Sequence, residues 1–482
     1  MRLTLLGGVS IAVLATASPA LARPAKPVSN AAILARLNAL EAKVDALQAE
    51  NATLHQQVDQ QQATVATIPT QVTTAVAQAA PPPPPPAPAP KPQTQVAWNG
   101  IVPQFTSPDG NFSFKPRGML EIDYAGFNER KGGYDYNNGT SIRRGRFGFD
   151  GTAFKNFAWR IEGEWVDNKA NLLDAYVAYT GVKNFTFTLG QLKVPAGLEA
   201  NSSDAFNEFL ERGMANTAFG QVGGERRVGA TFAYANPWLT ATAGLYGAGE
   251  AVDRDAASPD EVWGYNGRVT VEPINDARHL IHLGASAYHV KDLDQRQVTL
   301  QDRPNVRVDG GYLVSTKAIA NVSGATFYGL EGAGVYGPFS VQGEYSHMHL
   351  DRSAGLPDLN FDGYYVFGSL FLTGESRTFK GGVIDRVKPI RPFDPFKGNW
   401  GAIELAARYD RLNLTEHDLS PLARDGHAWT GAVNWYLNGN VKLMFNYIRF
   451  EGQNSPLVVA PVSINGTTAK GDAFATRLHL DF

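Results

Sequence analysis

The stretch FAWRIEGEWVD, residues 157–167, sets Phe157, Trp159, Ile161 and Trp165 against Arg160, Glu162 and Glu164, because successive residues of an extended strand point to opposite faces. The division recurs along the chain. In LLDAYVAY, Leu173, Ala175, Val177 and Tyr179 oppose Asp174 and Tyr176. In AIELAARYD, Ile403, Leu405, Ala407 and Tyr409 oppose Glu404, Arg408 and Asp410. The last strand, DAFATRLHLDF, sets Phe474, Leu478, Leu480 and Phe482 against Arg477, His479 and Asp481. One such strand also fits a soluble sandwich. Across the repeats, however, charge occupies the face a sandwich would bury, while Trp, Tyr and Phe gather near strand ends. This pattern predicts an all-β fold, a transmembrane antiparallel β-barrel whose aromatic side meets lipid and whose charged side meets a wet lumen.

The N-terminus agrees. Residues 1–22 carry an early Arg2, an apolar run from Leu3 to Ala17 and an Ala20-Leu21-Ala22 cleavage pattern, so they read as an export signal. The run is shorter than a spanning helix, and no later stretch reaches eighteen uninterrupted apolar residues, so membrane-embedded parts must be β. Residues 33–68 follow with a heptad seam: Ile33, Leu37, Leu40, Val44, Leu47, Leu54, Val58, Val65 and Ile68. Asn51 and Gln61 interrupt it, as polar seam residues that fix register do. This N-terminal α-helical coiled coil is expected to join copies in the periplasm, as two strands or three. Residues 79–97 form a linker built on AAPPPPPPAPAPKP, which cannot continue a helix and predicts a semi-rigid polyproline spacer.

From residue 112 to 482 the alternation is broken by short connections at Asn156, Gly181 to Asn184, Asn236-Pro237, Ile274 to Ala277, Gly337-Pro338 and Asn438 to Asn440. Longer polar ones fall at 128–139, 193–225, 249–260, 292–324, 352–360, 414–426 and 453–470. The two kinds alternate, and parity assigns the basic 375–398 segment to the short-turn side. The barrel is expected to have sixteen strands, or eighteen if a strand pair hides within 292–324; bacterial single-chain barrels have an even number.

Composition excludes several classes. With 43 Lys and Arg against 46 Asp and Glu the net charge is -3, which argues against a nucleic-acid binder. Cysteine is absent, so no disulfide framework or thiol metal site is available. His347, His349 and Asp351 share one side of a strand, but their place near an outer rim points to interfacial polar residues rather than a metal site. No nucleophile elbow or Walker sequence is present, and neither a cofactor nor an enzymatic activity is expected.

Four separated segments carry a family resemblance: LGQLKVPAGLEANSS, FLTGESRTFKGGVIDRVKPIRPFDP, WGAIELAARYDRLNL and GAVNWYLNGNVKLMFNYIRF. In this order they resemble the phosphate-selective porins, the family of porins O and P, over residues 112–482. The resemblance implies a homotrimeric channel of the Gram-negative outer membrane, narrowed by folded loops and lined by Arg and Lys. Such a channel conducts small anions by passive diffusion, phosphate or polyphosphate in the best-known members. The expected surroundings are outer-membrane lipids and lipopolysaccharide, small anionic or polar solutes, and the cell wall through the coil. An uptake channel for a particular organic solute, or a barrel-anchored envelope tether acting through the coil, are the other readings.

The family's constriction arginines resemble Arg143 and Arg144 in SIRRGRFGFDG, with Arg146 one strand step beyond; alternation against Phe147 and Phe149 turns Arg144 and Arg146 inward. Asp174 resembles their acidic partner, and Arg160 shares the lumen face of its own strand. The third loop departs from the phosphate-specific pattern. Between Lys193 and Arg212 it has no Lys or Arg and carries Glu199, Asp204, Glu208 and Glu211. Facing the arginines across the lumen, these acids would make a transverse field that sorts solutes by charge and dipole. A second basic group, Arg377, Lys380, Arg386, Lys388 and Arg391, is expected to line a mouth.

Overall fold

Alternation over eight to nineteen residues, ten or more in most cases, gives strands of the length that crosses a bilayer when tilted. The computed structural model describes residues 38, 41–60, 93–99, 101–220, 222, 224–249, 262–291, 293, 297–420, 422–458 and 468–482. The export signal and the proline tract lie outside the described residues. Of the predicted coil, residues 38 and 41–60 are described, the latter as a helix α1 that leaves Val44, Leu47, Leu54 and Val58 exposed.

The remaining described residues are dominated by one antiparallel sheet. It opens with a hairpin of β1 (Gln95–Asn99) and β2 (Val102–Thr106). Then come β3 (Ser113–Lys131), β4 (Gly139–Ala153), β5 (Phe157–Val166), β6 (Lys169–Val182), β7 (Phe185–Lys193), β8 (Arg226–Ala235), β9 (Leu239–Tyr246), β10 (Trp263–Asn275) and β11 (His279–Lys291). The short β12 (Gln301–Asp302) and β13 (Val314–Ser315) pair with each other only. The sheet resumes with β14 (Val322–Tyr336), β15 (Phe339–Arg352) and β16 (Leu359–Phe371), followed by a separate hairpin of β17 (Thr378–Lys380) and β18 (Val383–Asp385). It ends with β19 (Ala402–Asn413), β20 (Asp425–Tyr436), β21 (Val441–Gln453) and β22 (Thr468–Asp481).

Of the eighteen strands in this sheet, β1 and β2 stand outside the ring, joined to β3 only at Phe105↔Phe114 and Thr106↔Ser113. The other sixteen close on themselves where β22 pairs with β3. The terminal Phe482 exchanges two backbone hydrogen bonds of 3.0 Å with Gly118, so closure runs to the last residue. The sixteen-strand expectation therefore holds, and the strand pair within 292–324 lies apart from the barrel wall. The connection that the sequence pattern does not reveal is Asp167–Asn168, whose φ angles of 53° and 57° make the two-residue turn that hairpins favour.

Outward positions carry exposed aromatic side chains toward both ends: Trp165, Trp263 and Trp429 at the loop end, Phe157, Trp238, Tyr336 and Phe339 at the turn end. These are the two interfacial girdles of a membrane barrel. The lumen is not uniformly wet. Its loop-end half holds an apolar cluster in which Phe219 of the third loop and Leu300, Leu313 and Val314 of the 292–321 connection meet wall residues Phe327, Met348, Phe361 and Ile448.

Arg477 of β22 lies at the closing seam, nearly fully buried. It donates to both carboxylate oxygens of Asp123 on β3 at 2.7 Å and to Glu211 at 3.0 Å. Removing one partner of a buried charge network leaves the others unpaired, at a cost of about 3–5 kcal/mol. Arg477→Met is therefore expected to lower the temperature at which the folded band converts to the unfolded one in heat-modifiability gels. An unshifted conversion temperature would show that the seam does not rely on this residue.

Candidate functional site

The third loop, residues 194–225 between β7 and β8, turns inward because of what it is made of. Leu198, Phe209, Leu210, Met214, Ala218 and Phe219 are all buried, so one side of the loop needs an apolar setting. It contains α2 (Leu198–Asn201), a 3-10 turn at Asp204–Phe206 and α3 (Met214–Gly220). Its backbone polar groups then need partners away from water, and lumen-facing side chains supply them. Glu344 accepts from Leu198 N at 2.6 Å and Glu199 N at 3.0 Å; Asn446 accepts from Leu210 N at 2.9 Å. Asp410 accepts from Met214 N at 3.0 Å. Lys442 donates to Asn207 O at 2.7 Å, Arg408 to Glu211 O at 2.9 Å and Tyr288 to Phe219 O at 2.7 Å.

The three arginines of β4 all reach this loop. The register of β3 against β4 slips by one between Glu121↔Arg144 and Ile122↔Ile142, which leaves Arg143 as the extra residue of a bulge. Arg143 then joins Arg144 and Arg146 on the inner side, against simple alternation. Arg143 donates to both oxygens of Glu211, at 2.6 and 2.9 Å. Arg144 pairs with Asp204 at 3.1 Å and with Glu121, and Arg146 with Asp204 at 2.7 Å and Glu164 at 2.8 Å. Arg212 adds a third guanidinium to Asp204, at 2.7 Å. Glu208 meets Arg377 at 2.6 Å. The acidic loop does not face the basic wall across a gap, as a transverse field would require; it is fastened to that wall by direct ion pairs.

Asp174 partners Arg226 at 2.9 Å and Arg160 at 3.6 Å rather than the β4 pair. Arg160 also holds Asp150 at 2.7 Å. The five basic residues expected at a mouth are dispersed instead. Arg377 is buried against Glu208 and Gln342. Arg386 pairs with Asp481 and lies over the Phe206 ring. Lys388 and Arg391 are exposed at the turn end. Lys380 stands exposed beside the Gly381-Gly382 turn of the β17–β18 hairpin, both glycines having the positive φ (61° and 73°) that such a turn requires.

That hairpin rises into the lumen from the connection at 372–401 and meets the third loop. Ile384 N donates to Ser202 Oγ at 3.1 Å, Arg268 donates to Gly382 O at 2.6 Å, and Phe379 and Ile384 pack with Leu198 and Phe206 against Leu280 and Val335. Between the two inward segments and the β3–β8 wall a cavity of about 370 Å³ remains. Arg117, Arg146, Arg160, Lys193, Arg226 and Lys380 line it, with Glu162, Asp174, Asp204 and Asp385. Arg117 and Arg226 escape the family-guided reading. Alternation alone reaches Arg117, which shares the parity of the inward Glu121 and Asp123 on β3.

At the outer rim His349, Asp351 and Asp358 lie together, His349 Nε2 being 3.3 Å from Asp351. His347 sits apart, its ring 6.4 Å from that of Tyr328.

A closed sixteen-strand barrel with aromatic girdles, a charged lumen and an inward-folded third loop defines an outer-membrane channel. Residues 114–482 match the family described as phosphate-selective porin O and P, and the chain belongs to that family. It is 30% identical over 432 residues to an uncharacterized protein of Caulobacter vibrioides, covering 86% of this chain and 82% of the other. It is 28% identical over 422 residues to porin O of Pseudomonas aeruginosa, covering 79% and 90%. Among solved structures it is similar to an anion-selective porin from Comamonas acidovorans, with a TM-score of 0.48 and 16% identity over 77% of this chain and 100% of that one. It is also similar to the outer-membrane channel DcaP of Acinetobacter baumannii, with a TM-score of 0.47 and 10% identity over 78% and 99%.

The loop's attachment is expected to respond to pH. Burial lifts Glu199 to about 7 and Glu208 to about 7 in spite of the neighbouring Arg408 and Arg377. Burial acts on Asp204 as well, but Arg144, Arg212 and Arg146 outweigh it and hold that carboxyl well below its usual range. A glutamate whose folded pKa lies above the unfolded value of about 4.3 keeps a proton that the unfolded chain has already lost, so its contribution to stability falls as pH rises through that interval. The melting temperature is expected to be higher at pH 5.5 than at pH 8. Glu199→Gln combined with Glu208→Gln should shrink that difference; an undiminished difference would place its origin elsewhere.

Proposed function

We propose that this channel passes small hydrophilic solutes by passive diffusion and favours anions mildly. The carrying observation is the cavity beside the third loop, whose lining has six cations and four carboxylates. All four of its arginines pair with a carboxylate at 2.7 to 3.1 Å, and Lys380 makes no ion pair among the described residues. Paired guanidiniums still bias the local potential, but they have fewer free donors with which to replace the hydration of an oxyanion. The reading is therefore anion preference without tight phosphate capture.

Charge reversal tests it. Arg117→Glu with Arg160→Glu is expected to move the reversal potential toward cations, because both groups line the cavity at short range where screening is weak. Reversal at Lys388 and Arg391 should act less and fade with salt, since exposed charges are screened over about 8 Å at physiological ionic strength. Micromolar phosphate should leave chloride current unblocked. A micromolar block, or a reversal potential unmoved by the Arg117 and Arg160 changes, overturns the reading.

The assembly proposed with it is a homotrimer in which the 33–68 segment forms a three-stranded coil on the periplasmic side. Its support is the seam itself, with Val44, Leu47, Leu54 and Val58 exposed on the described helix. Native mass measurement in detergent is expected to give three copies, and removal of residues 23–91 to weaken the trimer while single-barrel conductance persists. A dimer contradicts the proposal. Loss of envelope attachment with unaltered conductance would favour the tether reading.

A further inference from the structure

The outer face of the barrel is not evenly covered by large side chains. Around the middle of β9, β10 and β11 the outward positions are Ala241, Ala243, Gly267, Ala285 and Ala287, interrupted only by Val269. The register sets them side by side: Ala243 faces Gly267 and Gly267 faces Ala287, while Ala241 faces Val269 and Val269 faces Ala285. Phe232 and Tyr234 of β8 wall this floor on one side, and Tyr328 and Leu330 of β14 with Tyr345 of β15 wall it on the other. The result is a trough of about 800 Å³ on the membrane side of the barrel, with a floor about 10 Å wide by the ~4.8 Å strand spacing.

We propose that this trough binds the acyl chains of a phosphorylated outer-leaflet glycolipid, lipopolysaccharide, as a defined site. Its height gives the first reason. One outward step toward the loop end stands the Tyr265 and His289 pair, ring centroids 5.4 Å apart, and a further step brings Trp263 beside Lys291. The trough thus begins just beneath the loop-end aromatic girdle, at the depth of outer-leaflet acyl chains. Charge gives the second. His289 and Lys291 occupy successive outward positions above Ala287 on β11, with Asp351 on the same face across Gly324, so a phosphate on the lipid headgroup would meet two basic side chains and one carboxylate there. Thr326 Oγ1 engages His289 Nδ1 at 2.9 Å, which leaves Nε2 as the ring's remaining polar atom. Concavity gives the third: a flat partner barrel would leave the floor unfilled, whereas flexible chains conform to it.

The test is retention of lipid by the intact protein. Native mass spectrometry of the full-length chain, delipidated and then incubated with bisphosphorylated lipid A, is expected to show the lipid held on each protomer. Gly267→Leu with Ala287→Leu fills the floor; a side chain at 267 has room, the nearest atom to its Cβ position being Thr242 O at 4.0 Å. Occupancy should fall by about tenfold as the buried apolar area is lost. His289→Ala with Lys291→Ala should weaken bisphosphorylated lipid A and leave its dephosphorylated form unchanged, which separates headgroup recognition from chain burial. Conductance is read alongside, to show that each variant is folded. Retention that survives filling of the trough overturns the proposal. So does a change in the number of copies on filling, which would assign the surface to a contact between protomers.

Discussion

A loop drawn into a barrel carries its backbone N–H and C=O groups away from water, and each must find a partner there. The rest of this structure depends on how that requirement is met. Glu344, Asp410 and Asn446 accept from the third loop's amides, while Lys442, Arg408 and Tyr288 donate to its carbonyls, so side chains from β11, β15, β19 and β21 all converge on one segment. Many of the lumen's charges therefore hold the loop in place and are not simply the lining of a hole. The loop's own acids extend the arrangement: Asp204 alone gathers Arg144, Arg146 and Arg212.

This division of labour separates charges that shape the bore from charges that face the solute. An arginine buried against two carboxylates contributes chiefly to geometry, because loss of either side strands the other in a medium of low dielectric. An arginine at the cavity surface, such as Arg117 between Asp150 and Glu162, keeps part of its guanidinium toward water. Lys380 reaches the same cavity from the opposite end of the barrel on a hairpin that arises from the turn side.

Much of the fold was legible because a membrane strand must satisfy two solvents at once, and a period of two records that demand in every segment. The face assignments of Arg144, Arg146, Arg160 and Asp174 follow from it. Arg143 does not, because the β4 bulge reverses its parity, and bulges leave no mark in a hydropathy pattern. The Asp167–Asn168 turn was hidden by brevity. The acidity of the third loop was visible, but not its contact with the arginines, since charge in a sequence carries no distance. Likewise the 375–398 segment reads as basic, yet its cations part company once Arg377 turns inward to Glu208 and Lys388 stays outside.

The meeting of Ser202 with Ile384 joins residues 182 positions apart in the chain. The bore is therefore bounded by two segments that enter from opposite ends of the barrel, one supplied before β8 and the other after β16. The aperture is thus set jointly by the two segments: a change in the β17–β18 hairpin reaches the same cavity that Arg146 of β4 lines, although the two lie more than two hundred residues apart in the chain.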